Sequence, residues 1–146
     1  MESNFSENVI EIERHLRRIA VTVRRRGRMS LEEYSITPPQ FDALIILNQS
    51  GDLTIGDLSN RLYLAYSTTT DLVDRLERAS FVVRQRDPDD RRVVRVRVQP
   101  LGQQVYEEVL NARRAYLASV LESLDEPVCN NILQVLQLLN ARMTDR

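Results

Sequence analysis

The chain has 146 residues, 42% hydrophobic and 28% charged, enough to bury one core without staples and unlike a disordered or membrane-spanning composition. Its longest apolar run, Ala43 to Leu47, is far short of the roughly 20 residues that a bilayer-crossing helix needs. The net charge of −1 conceals a sorting by sign: all 20 basic residues are arginine, seven between Arg14 and Arg28, nine between Arg61 and Arg97, and four from Pro100 onward, where there are six acids. Zoned charge of this kind steers binding through local fields, whatever the net value.

Val9, Ile12, Leu16, Ile19 and Val23 recur at spacings of three and four, which predicts a helix of about twenty residues ending near Gly27. The run Arg24-Arg25-Arg26-Gly27-Arg28 suits a helix C-terminus, where the dipole favours cations, and a phosphate contact is the alternative. Thr37-Pro38-Pro39-Gln40 is a helix start, with Thr37 as cap, Pro38 in the first turn and Gln40 closing a capping box. That helix runs through Phe41, Leu44, Ile45 and Leu47 and stops at Ser50-Gly51. Thr54 to Asp57 repeats the device for a short helix that carries Ile55, Leu58 and Leu62 inward, and Tyr63-Leu64-Ala65 makes a turn.

The next helix is predicted from Tyr66 to Ala79, with Leu72, Val73, Leu76 and Ala79 inward and Ser67, Thr68, Thr69 and Thr70 on its exposed first turn. Small hydroxyl side chains at a helix N-terminus allow close approach to DNA and can donate to phosphates or base edges. The plainer reading is that they cap and solvate a helix start. Beyond it, Val82 to Arg86 and Val93 to Val98 flank the tip Asp87-Pro88-Asp89-Asp90-Arg91-Arg92. Valine and arginine alternate in the second strand, so the arginines are expected on an exposed face. An Arg-lined hairpin with arginine at its tip fits a phosphate backbone or a groove, and a helix–turn–helix followed by such a hairpin is a winged helix.

From Pro100 the pattern is helical. Leu101, Val105, Val109, Ala112, Tyr116 and Val120 form one stripe that Leu124 is expected to extend, and Asp125-Glu126-Pro127 starts a last helix. Its apolar set (Val128, Ile132, Leu133, Val135, Leu136, Leu139, Met143) is too wide for one buried side and calls for a second surface, most simply a partner chain. The alternative is a well-buried terminal helix in a monomer.

Catalytic material is thin. His15 and Cys129 are each single, too few for a structural zinc, and no enzyme activity, metal or cofactor is expected. His15 reads as a solvated or interface residue and Cys129 as a packed thiol. Glu2, Glu7, Glu11 and Glu13 stand where a secretory leader would be basic and then apolar, and one cysteine forms no internal disulfide, so a cytoplasmic location is expected.

Leu58-Ser59-Asn60-Arg61-Leu62, Leu72-Val73-Asp74-Arg75-Leu76-Glu77 and the tip Asp87-Pro88-Asp89-Asp90-Arg91-Arg92, closed by Gly102, resemble the multiple-antibiotic-resistance regulator (MarR) family over about residues 8–144. The resemblance implies a mainly α fold with a small β-wing. A winged helix–turn–helix lobe (about 37–99) would join a helical dimerisation region formed by the N- and C-terminal helices (about 8–28 and 101–144), as one domain over 1–146. It implies a homodimer on a pseudo-palindromic operator, with the recognition helix in the major groove and the wing in the minor groove, where Asp90 orients Arg92. It also implies an apolar pocket for a small aromatic effector where the dimerisation helices meet the lobe, with Tyr34, Phe41, Tyr63, Tyr66 and Tyr116 as aromatics able to line it and Phe41 read as plain core. Two positions depart from the family pattern. Ala65 stands where a capping residue is usual, so the cap is expected to pass to Ser67. Asp71 stands where a basic or neutral residue is usual; a carboxylate there repels phosphate, or specifies a base through a cytosine amino group.

The expectation is a sequence-specific regulator of transcription that binds double-stranded DNA and acts as a repressor. Ser67, Thr68, Thr69 and Thr70 would sit at the major groove, Arg84, Arg86, Arg95 and Arg97 on phosphates, and Asp90, Arg91 and Arg92 at the wing tip. The rival is a winged helix serving as a protein-interaction or RNA-associated module.

Overall fold

In the computed structural model, which describes residues 4–144, the chain is mainly helical with one small antiparallel sheet. The order is α1 (Glu7–Arg25), α2 (Arg28–Glu33), α3 (Pro38–Ser50), β1 (Leu53–Thr54), α4 (Ile55–Leu62), α5 (Tyr66–Arg78), β2 (Val82–Arg86), β3 (Val94–Val98), α6 (Pro100–Leu121) and α7 (Glu126–Thr144). The starts follow the expected chemistry. Thr37 Oγ1 accepts from the Gln40 amide at 3.4 Å while Gln40 Oε1 accepts from the Thr37 amide at 3.1 Å, a complete capping box. Thr54 Oγ1 likewise accepts from the Asp57 amide at 3.1 Å.

Two elements were not expected. Gly27 adopts φ +80°, ends the first helical run and lets six residues restart as α2, which buries only Leu31. A Cβ at Gly27 would lie 2.9 Å from Val109 Cγ1 and 3.0 Å from the Val109 carbonyl oxygen, so this position needs glycine both for its backbone and for close approach to α6. Leu53–Thr54 pairs with Val96 and Arg95 as a third strand, giving the order β1-β3-β2. A second close approach occurs at Gly102, where a Cβ would come within 2.2 Å of the Phe81 carbonyl oxygen, so α6 can leave the sheet only from glycine.

The core lies in the lobe and against the start of α6. Phe41, Ala43, Leu44 and Leu47 of α3 pack with Leu58 of α4, Leu72, Val73 and Leu76 of α5, the sheet residues Leu53, Val82 and Val96, and Val105 and Val109 of α6. Each of these side chains other than Ala43 contributes about 1.5–3 kcal/mol by leaving water. Tyr34 fastens α2 to α6: its hydroxyl donates to Glu108 Oε1 at 3.1 Å and accepts from Gln104 Nε2 at 3.1 Å. Burial, then the Glu108 contact, pushes the Tyr34 pKa up.

Helices α1 and α7 contain no buried residue. On α7, Val128, Ile132, Leu133, Val135, Leu136, Leu138 and Met143 are exposed, and so are Val9, Ile12, Ile19 and Val21 of α1. The wide apolar face of the last helix is thus uncovered within one chain, and its alternative as a well-buried terminal helix is overturned. Two finer expectations also change: Ala79 caps α5 from an exposed position, and Leu124 lies in the turn after α6. Past that cap Ser80 takes φ +64°, with the Phe81 amide donating back to the Leu76 carbonyl at 2.9 Å.

Candidate nucleic-acid interface

Helix α5 presents two unlike faces. Thr69 is fully buried beside Leu72, Val73 and Leu76, and its hydroxyl donates to the Ala65 carbonyl at 3.1 Å. It therefore does not face outward with its neighbours, because a turn of 100° per residue sends one of four consecutive hydroxyl residues into the core. Thr70, half-buried, donates back to the Tyr66 carbonyl at 3.0 Å. Ser67 and Thr68 stay exposed. The cap does not pass to Ser67: the N-cap position is Ala65, and no side chain bonds to the first-turn amides. Those amides remain open at the positive end of the helix dipole, a local setting that attracts phosphate.

The wing tip is held by its own acids. Asp87 Oδ1 accepts from the amides of Asp89 at 2.8 Å and Asp90 at 3.2 Å, closing the Asp-Pro-Asp-Asp turn, and its Oδ2 meets Arg95 Nη2 at 3.3 Å. Asp90 Oδ1 accepts from the amide and the Nε of Arg92, both at 3.1 Å, and Oδ2 from Nη2 at 3.3 Å. The two backbone amides, then Arg95, hold the Asp87 carboxyl below its ordinary pKa, and the Arg92 guanidinium does the same for Asp90. Asp90 thereby fixes the root of Arg92 while the Arg92 side chain stays 90% exposed. Arg91 is exposed beside it.

The register divides the remaining arginines. Arg84 lies opposite Val96 and Arg86 opposite Val94, whereas Arg95 and Arg97 lie opposite Gln85 and Val83. Directly opposed residues share a face, so Arg84 and Arg86 are on the valine side of the ribbon and Arg95 and Arg97 on the other. Arg97 is exposed and donates to Gln85 Oε1 at 3.3 Å; Arg86 is exposed near the tip. Arg84 is not an outward arginine. Its Nη1 donates to Glu77 Oε1 at 2.9 Å, its Nη2 to Asp74 Oδ1 at 2.5 Å, and its amide to Glu77 Oε2 at 2.7 Å. Burial opposes the charge on Arg84, but the two carboxylates outweigh it and raise the pKa. Arg84 neutralises two acids of α5 and ties the wing to that helix. Alternation in β3 could not show this, because Arg84 lies on β2 and the acids that claim it sit on α5.

A cavity of about 360 Å3 lies where α1, α2, α3 and α6 meet, lined by Val21, Arg24, Arg25, Arg28, Leu31, Pro38, Phe41, Asp42 and Arg113. Arg113 was not singled out by any motif. Its guanidinium stands 5.2 Å from the centre of the Phe41 ring, and its Nε is buried with no hydrogen-bond partner among the described residues. Burial, then repulsion from Arg24, pushes its pKa down against the pull of Asp42. Of the aromatics named from the sequence, only Phe41 lines this space. Tyr34 packs edge-on against Phe81, Tyr116 lies under Arg26, and Tyr63 (94% exposed) and Tyr66 face solvent at the α4–α5 turn. His15 is exposed beside Glu11, and Cys129 Sγ lies near the carbonyls of Leu121 and Leu124. No helix among the described residues is long and apolar enough to cross a membrane.

This geometry agrees with what the chain resembles among known proteins. The profile of the MarR family matches residues 36–94, from the turn just before α3 to the first residue of β3. An uncharacterised HTH-type transcriptional regulator of Bacillus subtilis, YsmB, is 48% identical over 123 residues, 84% of each chain. The HTH-type transcriptional repressor MdtR of the same organism is 33% identical over 97 residues, 66% of this chain and 63% of MdtR. The solved structure of a MarR family protein from Bacillus stearothermophilus, 46% identical, superposes with a TM-score of 0.85 over 97% of this chain and 99% of the other. Half-identity across helices, wing and connecting turns together is far more specific than a helix–turn–helix alone, and the chain belongs to the MarR family of winged helix–turn–helix, DNA-binding transcriptional regulators, which are not enzymes.

Proposed function

We propose that the chain is a cytoplasmic, homodimeric, sequence-specific repressor that binds a pseudo-palindromic operator and is released from it by a small aromatic ligand. The observation that carries the DNA-contact reading is Arg92, rooted by Asp90 and otherwise free at the wing tip. A planar cation held in one direction loses little entropy on entering a narrow, negative groove. Ser67 and Thr68, with the open amides of the α5 N-terminus, face the major groove in this reading. Arg91 and Arg92 enter the minor groove, while Arg86, Arg95 and Arg97 serve phosphates. Thr69 and Arg84 hold the frame and touch no DNA.

The bare apolar faces of α1 and α7 support a second copy as their cover. The similarity to MdtR, itself named a repressor, supports repression. The cavity with Phe41 on its wall and the unpartnered Arg113 Nε supports an aromatic effector carrying a negative charge.

The test is binding of the purified protein to a labelled duplex from the promoter of its own gene, titrated at several salt concentrations against an unrelated duplex. One dimer per site, resistance to competitor and a steep salt slope are expected, since each phosphate contact releases counterions. No binding even at low salt would overturn the reading and leave the wing as a protein contact. Arg92→Ala is expected to weaken specific binding by about 1–3 kcal/mol with an unchanged melting temperature.

A further inference from the structure

Helix α5 carries three carboxylates, Asp71, Asp74 and Glu77, on an element that the proposed function lays against polyanionic DNA. Asp74 and Glu77 are both answered by Arg84. The Asp71 side chain is exposed and makes no hydrogen bond or ion pair among the described residues. Its direction is fixed by helix geometry. Thr69, Leu72, Val73 and Leu76 mark the buried side of α5, and at about 100° per residue the opposite side falls on Ser67, Asp71, Asp74 and Arg78. Glu77 lies to one flank, and Arg84 of β2 holds both Asp74 and Glu77 on that side. Thr68 and Arg75 lie to the other, toward Thr37 and Gln40 at the start of α3, where they share a shallow cavity with Asp71. Asp71 is therefore near the middle of the outward face, one turn beyond Ser67.

A carboxylate there is an acceptor only, and it is compensated only by a donor. Phosphates offer none. In the major groove the donors are the exocyclic amino groups of cytosine and adenine; on adenine the amino group adjoins the N7 acceptor, whereas on cytosine it has no acceptor beside it on the same base. Guanine and thymine turn acceptor oxygens toward the same space. We infer that Asp71 is a specificity-determining residue, accepting a hydrogen bond from the N4 amino group of one cytosine in each half-site and opposing other bases at that position. The inference rests on the DNA-binding reading above and deepens it. Asp71 supplies discrimination as much by repulsion as by attraction, since a wrong base leaves its charge unanswered beside acceptors.

The experiment is selection from a randomised duplex pool by the full chain and by Asp71→Ala and Asp71→Asn, with thermal melting of each protein as a control for folding. The wild type is expected to enrich a two-fold symmetric motif with cytosine at one position per half-site, where another base weakens binding roughly 5- to 150-fold. Asp71→Ala should flatten that position alone and raise affinity for unrelated DNA. Asp71→Asn should move the preference toward adenine, because an amide both donates to N7 and accepts from N6. An unchanged motif with a uniform gain in affinity for Asp71→Ala would overturn the inference and leave Asp71 as a general repellent of phosphate. A wild type that enriches no motif would overturn the sequence-specific reading itself, a failure visible without either variant.

Discussion

The lobe from α3 to β3 and the pair α1 and α7 solve opposite problems with the same residue types. In the lobe, leucine, valine and phenylalanine from three helices and three strands meet around Leu44, Leu58 and Val96, all fully buried. On α1 and α7, side chains of the same kinds stand in water along most of two 19-residue helices. The difference teaches that apolar periodicity reports a face seeking cover but not who provides it. The lobe closes on itself; the terminal helices present a surface too apolar to be left open.

The contrast can be broken most severely at α7. Leu136→Glu is expected to convert a dimer to monomers in sedimentation at micromolar concentration, since it sets an unpaired carboxylate in each buried half of the interface at a cost of several kcal/mol. A dimer of unchanged stability would show that the face is covered by something else. In the lobe, Phe41→Ala should lower unfolding free energy by about 3–5 kcal/mol, the usual cost of an emptied aromatic site, in chemical denaturation. Arg84→Ala comes next. It frees Asp74 and Glu77 on α5 and is expected to cost about 1–2 kcal/mol of stability, reduced by the partial exposure of the group. It should also weaken DNA binding more than Arg91→Ala does, because two acids would then face phosphate. The smallest effect sharpens the contrast without breaking either side. Ser80→Gly relieves a left-handed residue at the end of α5 and should stabilise the lobe by about 0.5–1 kcal/mol, leaving the monomer–dimer equilibrium unchanged.

Much of this was legible in the sequence, for identifiable reasons. Caps announce themselves locally, and Thr37 with Gln40 and Thr54 with Asp57 formed as their spacing implied. At the wing tip the Asp90–Arg92 contact, implied by the family resemblance, formed within two positions of chain, whereas the closing of the turn by Asp87 had not been read. Elements too short to have a period were missed: α2 has six residues and β1 has two. The misread site residues share one cause. Thr69 and Arg84 belong to runs that look uniform in sequence, and each is claimed by a partner outside its run, Thr69 by the core and Arg84 by Asp74 and Glu77. Arg113 gave no signal at all, because an unpartnered guanidinium is a property of the cavity around it.

The bridge from Arg84 to α5 has a mechanical consequence. Three hydrogen bonds join β2 to the C-terminal half of the helix, so the hairpin cannot tilt away from α5 without leaving two carboxylates bare. Helix and hairpin therefore move as one rigid lever. Under the proposed function, a small rotation of that lever draws the helix and the hairpin out of their neighbouring grooves together, and escape from the duplex is one step with one barrier.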